Sequence, residues 1–239
     1  MGTETQLRTP KAALLSVLYE TPPEYRLHLE EQTYRLGISL YLVDHTGTGF
    51  GYAKGLNSLL VPLLNQYDVF FLANPDIRLE TISRRKVFDA MEVFDVWGYA
   101  MDQNGSTYYG GLLDPNRLSG GLISQKPKQR FATVDFVSGS LMGVRREVFL
   151  KTGILEESYG MYYEDVDFCM RARRDGFLVG IDSAQHYQHL ERSDSNPNKK
   201  RWLSRSRFRF LLKFGTPQQK LYELLRLPKT WWEEGFSFL

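Results

Sequence analysis

The sequence predicts an α/β protein built around a largely parallel sheet, and three observations predict it. Short apolar runs alternate with helix-patterned stretches through residues 12–76, in the order β-α-β-α-β. Strands separated by helices imply parallel pairing through right-handed crossovers. Aspartates stand directly after the second and third runs, at Asp44 and near-adjacent Asp76, where the carboxyl ends of parallel strands form ligand sites. Finally, the chain of 239 residues is 42% hydrophobic and 24% charged, enough apolar mass for a core and too much for disorder.

The elements follow in order. Residues 12–19 (AALLSVLY) read as a buried strand, bounded by Thr21-Pro22-Pro23. Residues 24–36 form a helix with Tyr25, Leu29 and Leu36 on one side, and Gly37 stops it. Residues 38–43 (ISLYLV) are a second strand, ending at Asp44. Four glycines in residues 45–55 make a loop that turns into a helix, where Leu56, Leu59, Leu60, Leu63 and Leu64 form one buried stripe. Residues 68–73 (DVFFLA) are a third strand, continuously apolar as for a strand covered on both faces. It runs straight into Asn74-Pro75-Asp76.

The second half has a different grammar. Residues 93–101 read as a strand, 102–105 as a turn and 107–109 as a return strand. Residues 112–130, containing Gly, Ser and Pro, are expected to be a mobile loop. Residues 131–144 are strand-like, broken by Ser138-Gly139-Ser140. A short helix at 145–152 is stopped by Gly153. Another at 164–175 turns Val166, Cys169 and Met170 inward and is stopped by Gly176. Residues 177–181 are a strand. Beyond Pro197 a basic helix carries Phe208, Leu211 and Leu212 on one side, Gly215-Thr216-Pro217 ends it, and residues 218–227 form a last helix.

Composition removes several classes. Cys169 is alone, so no disulfide forms within the chain, and a single cysteine suits a reducing compartment. No apolar run approaches the roughly 20 residues of a spanning helix, and residues 1–11 have no apolar leader segment. A soluble, cytoplasmic protein is therefore expected. Residues 195–222 carry eight Lys or Arg and no acid against a chain total of +2, so the remainder carries −6. That asymmetry fits an anionic partner or a solvated helix face, and both readings stand.

Three acidic positions and one histidine pair have chemistry in reach: Asp44; Asp76; Glu164-Asp165 with Asp167; and His186 with His189. Each alone is as ordinary as a turn aspartate, an acid at a helix start, or a packed histidine. Together, hard oxygen ligands and a neutral imidazole suit a divalent cation that completes its shell with water and phosphate. The phosphate-loop, nucleophile-elbow, His-Glu-x-x-His and Gly-x-Gly-x-x-Gly patterns are all missing from the sequence.

The ordered motifs resemble one family. Asp135-Phe-Val-Ser-Gly-Ser-Leu-Met-Gly-Val-Arg-Arg-Glu-Val-Phe149, then Gly153 and Tyr162-Tyr-Glu-Asp-Val-Asp-Phe-Cys-Met-Arg-Ala-Arg-Arg-Asp-Gly176, resemble family 2 glycosyltransferases of rhamnosyltransferase type. Val43-Asp44, Gly49-Phe50-Gly51 with Asn57, and Leu72-Ala-Asn-Pro-Asp76 match that family in the same order. The resemblance implies a GT-A fold: a Rossmann-like nucleotide-binding half with a mixed central sheet, an acceptor-binding half and C-terminal helices. By residue, it implies one catalytic domain over 1–215, with halves at about 12–100 and 101–195, and a basic helical extension over 196–239.

The same resemblance implies a metal-dependent, inverting transfer of a sugar from a nucleotide-diphosphate donor, a dTDP- or UDP-sugar, to a glycan or lipid-linked acceptor in polysaccharide biosynthesis. It implies Asp165 as general base with Glu164 beside it. Asp44, Gly49, Asn57 and Asn74 would serve the nucleotide, and Asp76 with His189 a Mg²⁺ or Mn²⁺ ion. His186 is the alternative to His189. No nucleic acid is implied, and the protein is expected to be cytoplasmic; the charge of the basic tail, rather than the resemblance, allows a peripheral contact with the inner face of an anionic membrane. Two departures are plain: Asp44-His45-Thr46 replaces the usual aspartate–asparagine–serine stretch, and strand one ends Tyr19-Glu20 where asparagine is frequent. Asn198-Lys-Lys-Arg201-Trp202 differs from the Gln-x-x-Arg-Trp of processive synthases in its first residue, so transfer is expected to be non-processive. The alternative is an inactive GT-A-fold glycan-binding or scaffolding protein.

Overall fold

The computed structural model describes residues 10–48, 51–190 and 198–234, with side chains up to residue 229. Five elements open the fold: β1 (Ala12–Leu18), α1 (Pro23–Leu36), β2 (Ser39–Asp44), α2 (Tyr52–Leu63) and β3 (Val69–Ala73). As the alternation predicts, β1 pairs parallel with both β2 and β3. Every residue of β1 and β3 is buried, because helices cover both faces. Ala13, Leu15 and Val17 enter one apolar core with Leu56 and Leu60 of α2. Ala12 and Leu14 enter the other with Leu29 and Leu36 of α1. The period-two alternation of a strand thus feeds two cores from one continuous apolar run.

The chain continues through β4 (Ile77–Arg78), a short 3-10 turn, β5 (Val96–Gln103), β6 (Ser106–Tyr108), β7 (Gly111–Leu113), β8 (Gly120–Leu122), β9 (Phe131–Thr133) and β10 (Leu141–Arg145). The remainder is α3 (Arg146–Thr152), α4 (Glu164–Arg174), β11 (Val179–His189), α5 (Lys199–Phe214) and α6 (Pro217–Glu234), with a second 3-10 turn before α4. The main sheet is ordered β2-β1-β3-β10-β5-β11-β4, with β6 on β5 and β9 on β11. β10 inserts antiparallel between β3 and β5, so the sheet is mixed. This insertion brings the 138–140 segment beside the carboxyl end of β3, where the Asn74 N–H donates to Ser140 O at 3.0 Å.

Four elements differ from the sequence expectation. Residues 112–130 include the ends of a small two-stranded sheet, β7 paired antiparallel with β8. Gly111 serves close approach there: a Cβ on it would lie 2.1 Å from the Phe136 ring. β11 runs for 11 residues to His189, well past the apolar run at 177–181. Its polar stretch is held in the sheet because buried Asp182 takes two hydrogen bonds from Arg130, at 3.0 and 2.7 Å. Helix α5 buries Ser204, Ser206, Arg207, Phe210 and Leu211, while Phe208 and Leu212 face outward, so its inward face is rotated from the one expected. Met170 of α4 is likewise only half-buried, with Phe168 and Ala172 joining Val166 and Cys169 inside.

Candidate active site

Helix α4 begins under strain. Tyr162 and Tyr163 both hold left-handed backbone, with φ of 65° and 71°, a costly state for bulky side chains that clusters at functional sites. Tertiary contacts hold it there. The Tyr163 hydroxyl accepts from the Gly120 N–H at 3.0 Å, and its ring packs on Phe210 with centroids 5.5 Å apart. The two tyrosines deliver Glu164 and Asp165 to the helix N-terminus, where unpaired N–H groups favour negative charge.

The two acids meet different surroundings. Asp165 is half-buried: one oxygen accepts from the Gly139 N–H and the other from the Val166 N–H, both at 2.8 Å. Burial pushes its carboxyl above the ordinary value, and these backbone donors hold the rise back. A Cβ on Gly139 would come 3.3 Å from the Asp165 Cβ, so glycine there lets the backbone approach closely. Glu164 is buried, and its Oε2 has no hydrogen-bond partner among the described residues. Burial, then the neighbouring Asp165 charge, pushes its carboxyl up to about 8.

The second cluster forms where β3 and β11 end. His189, 7% exposed, lies with Nε2 3.4 Å from Asp76 Oδ1 and 3.2 Å from the Asn74 amide nitrogen. Its Nδ1 faces the Gln103 amide nitrogen at 3.3 Å. The extension of β11 beside β4, pairing His189 with Ile77, creates this meeting. His186 instead faces Asp102, with Nδ1 3.2 Å from Oδ2.

Besides a cleft of about 560 Å³ walled by Gln103, Gln188 and His189, two further clefts meet at this cluster. One, of about 280 Å³, is lined by Tyr19, Glu20, Tyr25, Tyr52, Asn74 and Asp76, among others. The other, also about 280 Å³, includes Gln103, Ser138, Tyr162, Asp165, His189 and Lys199 in its wall. The Asp76–His189 pair therefore joins a cleft at the ends of β1 and β3 to a cleft holding Asp165. Tyr52 ties the two walls, its hydroxyl donating to Gly139 O at 2.9 Å.

The remaining expected site residues divide. Asp44 ends β2 and is exposed, with Oδ1 accepting from the Thr46 N–H at 2.8 Å. The Thr46 hydrogen bonds hold its carboxyl below the ordinary value. Gly49 lies outside the described residues. Asn57 is a correction: it is buried, and its amide donates to Leu155 O and Glu157 Oε1, both at 2.9 Å, while accepting from the Leu155 N–H at 3.2 Å. That amide fastens α2 to the 155–157 segment and has no N–H left for a nucleotide. Asp167 turns away from Asp165 into the scaffold, 2.6 Å from both Arg171 and Lys213. Tyr19, Glu20, Tyr25, Tyr52 and Gln103 carry no motif of their own. The available signal was position, since Tyr19 and Glu20 follow a strand in the same way as Asp44 and Asn74.

Among the described residues, no group of three or more His, Cys, Asp or Glu is arranged as a metal cage. The Asp76–His189 pair supplies one carboxylate and one imidazole side by side. That donor set fits a Mg²⁺ or Mn²⁺ ion shared with phosphate oxygens and water, because Mg²⁺ commonly keeps one or two protein carboxylates beside substrate phosphates.

Fold comparison defines the class first. The structure superposes on GalNAc-T7 crystallised with UDP, GalNAc and Mn²⁺, with a TM-score of 0.58 over 84% of this chain and 48% of that one, at 11% identity. It also superposes on A197 from STIV, with a TM-score of 0.51 over 76% of this chain and 86% of that one, at 16% identity. The chain has a GT-A fold. No protein-family model matches it.

Sequence then narrows the likeness. The chain is similar to the N-acetylglucosaminyl-diphospho-decaprenol L-rhamnosyltransferase of Mycobacterium tuberculosis, 27% identical over 179 residues, or 62% of this chain and 58% of that one. It is 36% identical over 78 residues to the low-salt glycan biosynthesis hexosyltransferase Agl10 of Haloferax volcanii, covering 30% of this chain and 25% of the relative. It is 35% identical over 81 residues to the rhamnosyltransferase WbbL of Escherichia coli, covering 33% and 31%. The chain thus spans from a quarter to just over half the length of these curated relatives. In sequence it is rhamnosyltransferase-like.

Proposed function

We propose that the chain is an inverting, non-processive glycosyltransferase of polysaccharide biosynthesis. It moves a sugar from a dTDP- or UDP-sugar to a glycan or lipid-linked acceptor. The observation that carries this reading is the Asp76–His189 pair, 3.4 Å apart, joining one cleft to a second cleft that contains Asp165. Its similarity to curated rhamnosyltransferases supports the same chemistry and makes rhamnose the first donor sugar to test.

In this reading the nucleotide diphosphate enters the first cleft and the acceptor the second. Asp165, ionised, takes the proton of the acceptor hydroxyl. That oxygen bonds to the anomeric carbon from the face opposite the diphosphate. The anomeric carbon–oxygen bond breaks, and its electron pair leaves with the diphosphate, so configuration inverts. A positioned base contributes about 10²–10⁴-fold. Glu164, held protonated near neutral pH by its burial, keeps a second negative charge away from Asp165 in the free enzyme.

Asp76 and His189 would hold the Mg²⁺ or Mn²⁺ ion, with Asn74 and Gln103 packed against the imidazole. When bound, the cation stabilises negative charge on the leaving diphosphate. Asp44 contacts the nucleoside, and Gly49 stays with that group by its motif alone. Asn57 is not part of the proposal.

A panel of nucleotide sugars with the purified chain, with Mn²⁺ and with EDTA, tests the reading. Nucleotide-diphosphate release and thermal shift are the two readouts. One donor should stabilise the protein and be slowly hydrolysed, and EDTA should abolish both effects. A folded protein that neither binds nor hydrolyses any donor would leave the inactive glycan-binding alternative in its place.

A further inference from the structure

Helix α6 is mounted with its polar side inward. Glu223 is buried and paired with Arg117 at 2.6 Å and Arg207 at 3.2 Å. Gln219 donates to Pro115 O at 2.7 Å. These contacts set the rotation of the helix, and the rotation turns Leu221, Leu224 and Leu225 to solvent at 56%, 61% and 74% exposure. Spaced i, i+3 and i+4, the three form one stripe on the outer side. A solvated helix ordinarily does the reverse.

Helix α5 presents a complementary outer side. Arg201, Arg205 and Arg209 recur every fourth residue and are exposed, with no acidic partner among the described residues. Phe208 and Leu212 are exposed on the same helix. The first turn of the same helix reaches the site, because Lys199 and Leu203 line the cleft that holds Asp165.

We propose that the outer sides of α5 and α6 form a docking surface for an anionic lipid bilayer. The leucines enter the acyl boundary, and the arginines meet lipid phosphates. Charge complementarity selects this occupant. A second copy docked face to face would set the arginine row against a like-charged row, whereas anionic lipid satisfies both the apolar stripe and the cations. The surface adjoins the Asp165 cleft, so a molecule anchored in the bilayer reaches that cleft along α5. Bilayer docking stands whether or not the chain transfers a sugar. Among the described residues no helix is long and apolar enough to cross a membrane, so the contact is an interfacial one.

The test is flotation of the full chain with vesicles of phosphatidylcholine alone, or with about one third phosphatidylglycerol. The chain should float with the anionic vesicles, and raised salt should weaken the binding. The triple variant Arg201→Gln, Arg205→Gln, Arg209→Gln should lose about a hundredfold in partition. A separate triple variant, Leu221→Ser, Leu224→Ser, Leu225→Ser, should lose at least about tenfold. All six positions are exposed, and an unchanged thermal melt certifies that each variant is folded. Failure of the folded wild-type chain to float would overturn the proposal, as would variants that float as well as wild type. A dimer in sedimentation that Leu224→Glu dissociates, without vesicle binding, would assign the surface to a second copy instead.

Discussion

Asp165 and Asp167 stand two residues apart on one helix and meet opposite surroundings. Asp167, with a fully buried carboxylate, is met by Arg171, Lys213 and the Tyr159 hydroxyl, at 2.6, 2.6 and 3.0 Å. Asp165 receives only backbone N–H groups, and its neighbour Glu164 leaves an oxygen unpartnered. The fold had cations to spend, since α4 alone carries Arg171, Arg173 and Arg174, and these three meet Asp167, Asp135 and the Phe214 ring and not Asp165. A cation there would hold the carboxylate ionised but would weaken it as a base. The difference separates an acid that holds the structure from the acid to which the proposed reading gives the proton transfer.

The sharpest way to break the comparison is Asp165→Asn. Turnover should fall by about 10²–10⁴-fold, while the melting temperature and donor affinity hold. Near-normal turnover in steady-state assays would remove Asp165 as the base. Asp167→Ala should behave in the opposite manner. It strands two cations, one of them reaching water, so unfolding in urea should report a loss of about 3 kcal/mol, with turnover per folded molecule little changed.

Glu164→Gln sharpens the contrast through pH. The wild-type carboxyl holds its proton in the folded chain up to about 8 and releases it near 4.5 when unfolded. Between those values the folded state binds the extra proton, so wild-type stability is greatest at the acid end and falls as pH rises, by about 1 kcal/mol per unit. Denaturation from pH 5 to 8 should show that slope, and Glu164→Gln should flatten it. An equal slope in both proteins would show that Glu164 titrates normally. Transfer itself should rise with pH through a midpoint above the usual carboxylate range, because the Asp165 proton is held too firmly. The smallest effect belongs to Asn57→Ala: about 1–2 kcal/mol of stability from the lost buried bonds, with donor affinity unchanged. A donor-specific loss of binding would return Asn57 to the nucleotide site.

Legibility differs between the halves of the chain. Through β3 the elements fall within a residue or two of their expected bounds, because apolar runs and leucine spacing are local properties that two-sided burial makes unambiguous. The acids after β2 and β3 were readable for the same reason. The second half was harder. Residues 182–189 are polar, and the Asp182–Arg130 pairing that keeps them in the sheet joins residues 52 apart in sequence. The glycines around 111–121 suggested mobility, yet Gly111 is small to admit the Phe136 ring. Asn57 shares a family motif, but hydrogen bonds to the 155–157 segment decide what its amide does.

By itself the sequence determined the α/β class, the β-α-β-α-β succession and parallel pairing of the first half, the helix that begins at Glu164, and the set of acids and histidines with chemistry in reach. Tertiary structure alone decided which of these share a site. It set His189 rather than His186 beside Asp76, turned Asp167 away from Asp165, and rotated α5 and α6 so that arginines and leucines face outward. The physical reason is the same in each case. A helix or strand can be read from its own periodicity, but its rotation and extent are fixed by partners far away in the chain. Glu223 meeting Arg117, 106 residues distant, decides which side of α6 meets the solvent.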